Sequence, residues 1–163
     1  MKKSSNTRGP RPGSIARVDG IDYADLDEHF GYALKRAQIA AFEAFSRATR
    51  GSSSFEEITP PRYTALVILA GNPGISQSAL GEVLGTARSG AMMLADWLEH
   101  RGLAERRHRP DDARAWGLFL TAKGETLLRK LKRNVRSHDR KFAGRLDATE
   151  RKELLRLLEK LTG

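Results

Sequence analysis

The chain has 163 residues, enough for one domain with a real hydrophobic core. Its formal net charge of +9 and pI near 10.2 favour a polyanionic partner, with nucleic acid first and an anionic membrane surface second. The absence of cysteine excludes disulfides, thiol redox sensing and thiolate metal sites, and no run of about 18 apolar residues is present to span a bilayer.

Residues 1–20, MKKSSNTRGPRPGSIARVDG, are polar and basic through Lys2, Lys3, Arg8, Arg11 and Arg17. They carry no apolar stretch of the kind a secretory signal needs, so a cytoplasmic protein is expected. Such a segment buries too little apolar surface to order itself. Two readings stand for it: an unstructured tail or vector remnant, or an arm that adds phosphate contacts.

From about Asp22 to Arg50 the pattern is helical. Leu26, Phe30, Leu34, Ala37, Ala41, Phe45 and Ala48 advance in steps of three and four and form one apolar stripe. Acidic residues from Asp22 to Glu28 load the start, and Arg47 and Arg50 close the end, as the helix dipole favours. Ile39 and Phe42 widen the apolar surface beyond one stripe, which suits a subunit interface. After the turn-rich GSSSFEE, Thr59 and Pro60 predict the cap and first position of a second helix, which Gly71-Asn72-Pro73-Gly74 stops.

Ser76 is placed to cap a third helix carrying Leu80, Val83 and Leu84. Gly85 makes the turn, and a fourth helix begins at Thr86 or Ala87 and ends near Gly102. In that fourth helix Ala91, Leu94, Ala95 and Leu98 share the buried face, and Thr86, Ser89, Gly90 and Met93 lie opposite. Two short helices around a tight turn predict a helix-turn-helix, whose second helix presents its outward N-terminal positions to base edges. Leu103–Arg107 and Ala115–Thr121 predict two strands around the loop HRPDDAR, a hairpin that completes a winged unit. A very basic helix follows from about Thr121 to Arg145. Asp147 or Thr149 caps a last one, whose leucines from Leu154 to Leu161 exceed what one small core requires and suggest dimer packing.

The expected fold is mainly α with a small β-hairpin wing. A basic arm occupies 1–20, an N-terminal dimerisation helix and linker 21–58, the winged helix-turn-helix domain 59–124, and C-terminal dimerisation helices 125–163. No P-loop, G-x-S-x-G or dinucleotide fingerprint is present, so no enzyme is expected. His29, His100, His108 and His138 lack metal spacing, so neither a metal nor a cofactor is expected. Trp97 and Trp116 read as packing residues.

With its long first helix, PRYTALVILAGNPGISQSALGEVLG, ARSGAMMLADWLEHRGLAERR, DDARAWGLFLTAKG and a leucine-rich tail, the chain resembles the MarR family of winged-helix transcriptional regulators over residues 25–161. The resemblance is most specific at Asp112-Ala113-Arg114 and Leu120–Gly124. It implies a homodimer on a palindromic operator in double-stranded DNA. Arg114 would reach into a minor groove, steadied by Asp112 through a charge-assisted hydrogen bond. Arg106, Arg107 and Arg109 would meet phosphates, and Arg88, Ser89, Gly90, Met92 and Met93 would lie at the recognition helix. Gly90, Met92 and Met93 depart from the Thr or Arg common there and offer no bidentate base readout, so shape readout gains weight. Met92 has a second reading, as partly core.

The resemblance further implies repression of a catabolic or efflux operon, relieved by a small aromatic acid or aromatic acyl-CoA. His29, Tyr32, Arg36, Arg62 and Tyr63, with Tyr23 and Lys35 nearby, combine aromatics with cations as such a ligand would need. The rival expectation is a winged-helix module for protein contact or non-specific architectural DNA binding.

Overall fold

A computed structural model describes residues 19–50, 55, 57–110 and 112–163, although the side chain of residue 113 is outside that description. The expected basic arm therefore lies almost wholly outside the described residues. The helices are α1 Phe30–Thr49, α2 Pro60–Gly71, α3 Gln77–Val83, α4 Arg88–His100, α5 Ala122–Phe142 and α6 Ala148–Thr162. Between α4 and α5 an antiparallel pair, β1 Ala104–Arg109 and β2 Asp112–Leu120, forms the wing.

The expected first helix is broken. A 3-10 turn, Ala24–Glu28, precedes α1, and His29 between them is extended. The cause is local. The Asp22 carboxylate accepts from the Ala24 N–H at 2.9 Å, a side-chain bond that competes with a regular helix start. The acidic cluster therefore loads the 3-10 turn, and the first turn of α1 carries no acid. The hairpin also departs from expectation, in the opposite sense. Its strands run on through His108 and Arg109 and start again at Asp112, which reduces the expected seven-residue loop to a tight turn at Pro110.

The core lies in the winged unit. Leu66, Leu69, Leu80, Ala95, Leu98, Leu103, Leu118, Leu128 and Leu131 are buried in one cluster drawn from α2, α3, α4, the wing and the first half of α5. Two close approaches give that cluster its shape. Gly81 of α3 is buried against Ala91, and a Cβ there would sit 3.0 Å from the Ala91 Cβ, so the two helices of the turn cross with little between them. Gly117 of β2 lies over the backbone of Gly74, where a Cβ would come within 2.5 Å of the Gly74 carbonyl oxygen. That contact admits two backbone bonds, Gly74 N–H to Leu118 O and Leu118 N–H to Ile75 O, both 2.9 Å. They tie the wing to the loop between α2 and α3.

The predicted caps recur with different roles. Ser76 accepts from the Ala79 N–H at 3.1 Å, and Asp147 forms a full capping box with Glu150 at the start of α6. Thr59 precedes α2 without a side-chain cap bond, and Pro61 at the second helical position has no N–H to donate to it. Thr121 caps α5 by accepting from Gly124 N–H at 3.1 Å and donates its hydroxyl to the Gly102 carbonyl at 2.7 Å.

The terminal helices are finished differently. No residue of α6 is buried, and Leu154, Leu155, Leu157 and Leu161 face solvent. Ile21, Leu26, Phe30 and Leu34 near the start of the chain's described part do the same. An apolar surface of this extent is unusual on a monomer.

Candidate nucleic-acid interface and ligand crevice

Helix α4 buries the face its periodicity predicts: Ala91, Ala95 and Leu98 are fully buried and Leu94 is half-buried. Its N-terminal half presents Arg88, Ser89, Met92 and Met93 to solvent. Met93 is 70% and Met92 49% exposed, which removes the partly core reading of Met92. Helical spacing sets Met92 about 110° and Met93 about 150° from the centre of the buried stripe. Gly90 has a structural reason. The Thr86 hydroxyl folds over it, and a Cβ at residue 90 would stand 2.3 Å from the Thr86 Oγ1. Ala87, the N-cap of α4, supplies no side-chain acceptor, so the first N–H groups of the helix remain open to an anion.

The wing is braced from inside by Arg106. Its guanidinium pairs with Glu99 and with Asp96 (2.8 Å), both on α4, and donates to the Gln77 side chain on α3 at 3.1 Å. The Arg106 N–H also donates to Glu99 at 3.1 Å. The expected phosphate ligand is therefore committed to acceptors within the chain. The other predicted cations differ from it. Arg107 is exposed, lies 3.9 Å over the Phe119 ring and pairs with Glu105 at 3.5 Å, while Arg109 ends β1.

Near the tip the register slips. His108 pairs with Trp116, but the next pair is Arg109 with Asp112, so residues 113–115 are extra on β2. Arg114 stands in that irregular segment and is exposed. Bulges of this kind re-aim side chains. Asp112 accepts from the Arg114 backbone N–H at 2.9 Å, so it fixes the turn beneath Arg114 where a bond to the guanidinium was expected. A short carboxylate two residues upstream reaches its successor's N–H more directly than the end of a long side chain. Trp116 is also displaced from expectation. It is exposed on the wing and stacked with His108, while Trp97 is half-buried.

The expected effector residues do not converge within one chain. His29 pairs with Asp25 at 3.5 Å and Arg36 with Asp27 at 3.9 Å, and Arg36 lies 5.9 Å from the Tyr32 ring, all near the start of α1. Tyr63 instead packs against Phe45 at 5.6 Å, roughly 20 Å further along α1 than Tyr32. Burial raises the Tyr63 phenol above its usual range; nearby Arg136 opposes the shift and Asp139 adds to it. Arg62 stacks 3.9 Å over Trp97 and donates to the Glu57 carbonyl at 2.6 Å; burial pulls its guanidinium below the usual range.

Sequence reasoning missed the cavity beside Trp97. A crevice of about 560 Å³ lies between the end of α4 and the start of α5, with Trp97, Leu103 and Leu127 as apolar wall and Arg101, Lys123 and Lys130 as cations. Glu57 on its edge pairs with Arg101. A second crevice, about 570 Å³, opens on the other side of Trp97 under Met93 and Gly90, with Arg62 in its wall. No local pattern announces such a cavity, because its lining comes from three separate elements.

Comparison with known proteins bears on the whole arrangement. A family model described as MarR family matches residues 57–115. A Thauera aromatica protein assigned as transcriptional regulator of an hcr operon is 37% identical over 139 residues, 85% of this chain and 82% of that one. Among solved structures, the transcriptional repressor CouR bound to a 23-mer DNA duplex shares 33% identity and a TM-score of 0.79, covering 88% of this chain and 99% of CouR. CouR bound to p-coumaroyl-CoA matches at 32% identity and TM-score 0.76, covering 87% of this chain and 97% of that one. PcaV of Streptomyces coelicolor with its natural ligand matches at 28% and 0.75, covering 87% and 97%.

Proposed function

The chain belongs to the MarR family of winged helix-turn-helix transcriptional regulators, and from that premise we propose that it is a homodimeric repressor released by an aromatic acid or aromatic acyl-CoA. Its operon would serve catabolism or efflux. The single observation that carries the DNA side is the division of α4. Ala91, Ala95 and Leu98 anchor the helix while Arg88, Ser89, Met92 and Met93 stand clear at its uncapped start. Residues 59–124 form the DNA-binding lobe, and 21–58 with 125–163 form the dimerisation part. The solvent-facing leucines of α6 and the apolar start of the chain's described part would be covered by a second copy, giving a two-fold body for a palindromic operator.

Each contact has a chemical role. Arg88, Ser89 and the open N–H groups of α4 take phosphate or base-edge acceptors, and Met92 and Met93 meet thymine methyls. Arg114 enters the minor groove, held by the Asp112 turn, and Arg107 and Arg109 take phosphates. Arg106 is left out of this set, because its donors are already spent on Glu99, Asp96 and Gln77.

The effector is placed in the crevice beside Trp97. Its apolar wall suits an aromatic ring, and Lys130 suits a carboxylate or the phosphates of a coenzyme A thioester, with Arg101 and Lys123 exchanging their contacts to Glu57 and the Arg101 carbonyl for the ligand. The likeness to CouR with p-coumaroyl-CoA supports that class. Arg62 and Tyr63 act from behind Trp97 and Phe45, while His29, Tyr32 and Arg36 would join the crevice only from a second copy. Occupation would favour a lobe spacing that mismatches successive major grooves. DNA and effector would then weaken each other by the same factor.

A mobility-shift assay with DNA from upstream of its own gene tests the function. Wild type should bind and Arg114→Ala should bind about tenfold more weakly, with a salt slope lower by ~1. Failure of wild type to bind any such fragment at low salt would overturn it. The exposed methionines, which cannot read bases by hydrogen bonds, favour a second reading as a non-specific architectural binder. A specific-to-competitor affinity ratio near unity would select that reading.

A further inference from the structure

The wing carries an aromatic pair that none of the contacts above uses. Trp116 on β2 is 57% exposed, and its cross-strand partner His108 on β1 is also exposed. Their ring centroids are 4.3 Å apart and their planes tilt by 37°. Directly paired residues share a face of the ribbon. The next pair inward, Arg106 with Leu118, faces the lobe: Leu118 is buried and Arg106 grips α4. His108 and Trp116 therefore project from that face one pleat repeat further out, ~7 Å along the strands and past the edge of the core.

An indole left that far outside the core adds little to folding. Along the ribbon, Arg107 and Arg109 precede and follow His108 on β1, and the exposed Arg114 lies two residues before Trp116 on β2. Among the described residues, Glu105 pairs with Arg107 and Asp112 accepts from the Arg114 N–H. A flat apolar plate beside the exposed Arg114 matches one partner surface well. The duplex backbone sets anionic phosphates beside apolar deoxyribose faces at a few ångströms' spacing.

We propose that Trp116 and His108 form a second DNA contact on the wing. The indole packs on a deoxyribose in the wall of the groove that Arg114 enters, and the imidazole donates a hydrogen bond to the flanking phosphate. This rests on the placement of Arg114 given under the proposed function. The pair sets depth and affinity without reading sequence, since sugars and phosphates are the same at every base pair.

The test uses the full chain, short duplexes from upstream of its own gene, and the variants Trp116→Phe, Trp116→Ala, His108→Ala and Arg114→Ala. The chain has two tryptophans, so subtracting the emission of Trp116→Phe from that of wild type isolates Trp116. Duplex should protect that signal from acrylamide quenching. Trp116→Ala should weaken binding about tenfold at an unchanged salt slope, Trp116→Phe should retain most of the affinity, and Arg114→Ala should lower the slope by ~1. His108→Ala should weaken binding by about threefold, the loss of one hydrogen bond to a phosphate. If wild type and Trp116→Ala bind equally, or if Trp116 stays as quenchable in the complex as in the free protein, this contact is overturned while DNA binding stands. Protection of Trp116 that appears without DNA would assign the pair to a protein contact and overturn it too. No binding by wild type would overturn both this contact and the regulator function.

Discussion

Replacing Arg106 with Met keeps the aliphatic stem and the backbone N–H bond to Glu99 and removes every side-chain donor of the brace. The Glu99 bond is the largest loss. It is charge-assisted and both side chains are about one-third exposed or less, so about 1.5 kcal/mol is at stake. Asp96 is 56% exposed and contributes about 0.5 kcal/mol, and the Gln77 bond adds about 0.5 kcal/mol. Asp96 and Glu99 then repel across one helical turn, for a few tenths of a kcal/mol more. The sum, about 2–3 kcal/mol, lowers the melting temperature by roughly 5–10 °C for a chain of this size. Circular dichroism melts of wild type, Arg106→Met, Glu99→Gln and the double variant measure the loss and its coupling. The difference should shrink in high salt, because the site is partly open to solvent. A shift below about 2 °C, or additive single variants, would refute the account of Arg106 as a brace.

Other outcomes follow from features described above. Gly117→Ala should cost about 1–3 kcal/mol, because its Cβ would stand 2.5 Å from the Gly74 carbonyl oxygen; a chemical-denaturation midpoint equal to wild type would contradict that close approach. Leu155→Asp with Leu161→Asp should give a monomer by size-exclusion light scattering while the DNA lobe stays folded, since α6 buries nothing within the chain; persistent dimer would place the interface elsewhere. The Tyr63 phenol is raised in the folded state, so above about pH 10 the unfolded chain loses that proton first and stability falls as pH climbs. Tyr63→Phe should flatten that alkaline limb in pH-dependent melts, and an unchanged limb would assign it to other groups.

The local features were legible because their causes are local. The buried face of α4 follows from a 3.6-residue period, and Ser76 and Asp147 announce caps through one hydroxyl and one carboxylate. The MarR family assignment was legible for a related reason, since its motifs are contiguous stretches. What escaped depends on distance in sequence. Arg106 looked like any wing cation, and only the fold brings Gln77, 29 residues earlier, to its guanidinium. The slip between His108 and Arg109 depends on how two strands meet, so neither strand alone reveals the setting of Arg114 or the exposure of Trp116. The break at His29 was hidden by an apolar spacing that a continuous helix would also satisfy.

A two-stranded ribbon standing off a domain would ordinarily be a hinge, free to rock on its base. Here the Gly74–Leu118 and Ile75–Leu118 bonds hold one strand and the Arg106 acceptors hold the other. The base of the wing is thus tied to both α4 and the loop before α3. A regulatory signal of the kind proposed would then move wing base and α4 together, about the lobe's attachment to α1 and α5. Under the function proposed above, groove-to-groove spacing, set once per lobe, is the quantity that an effector in the Trp97 crevice would change.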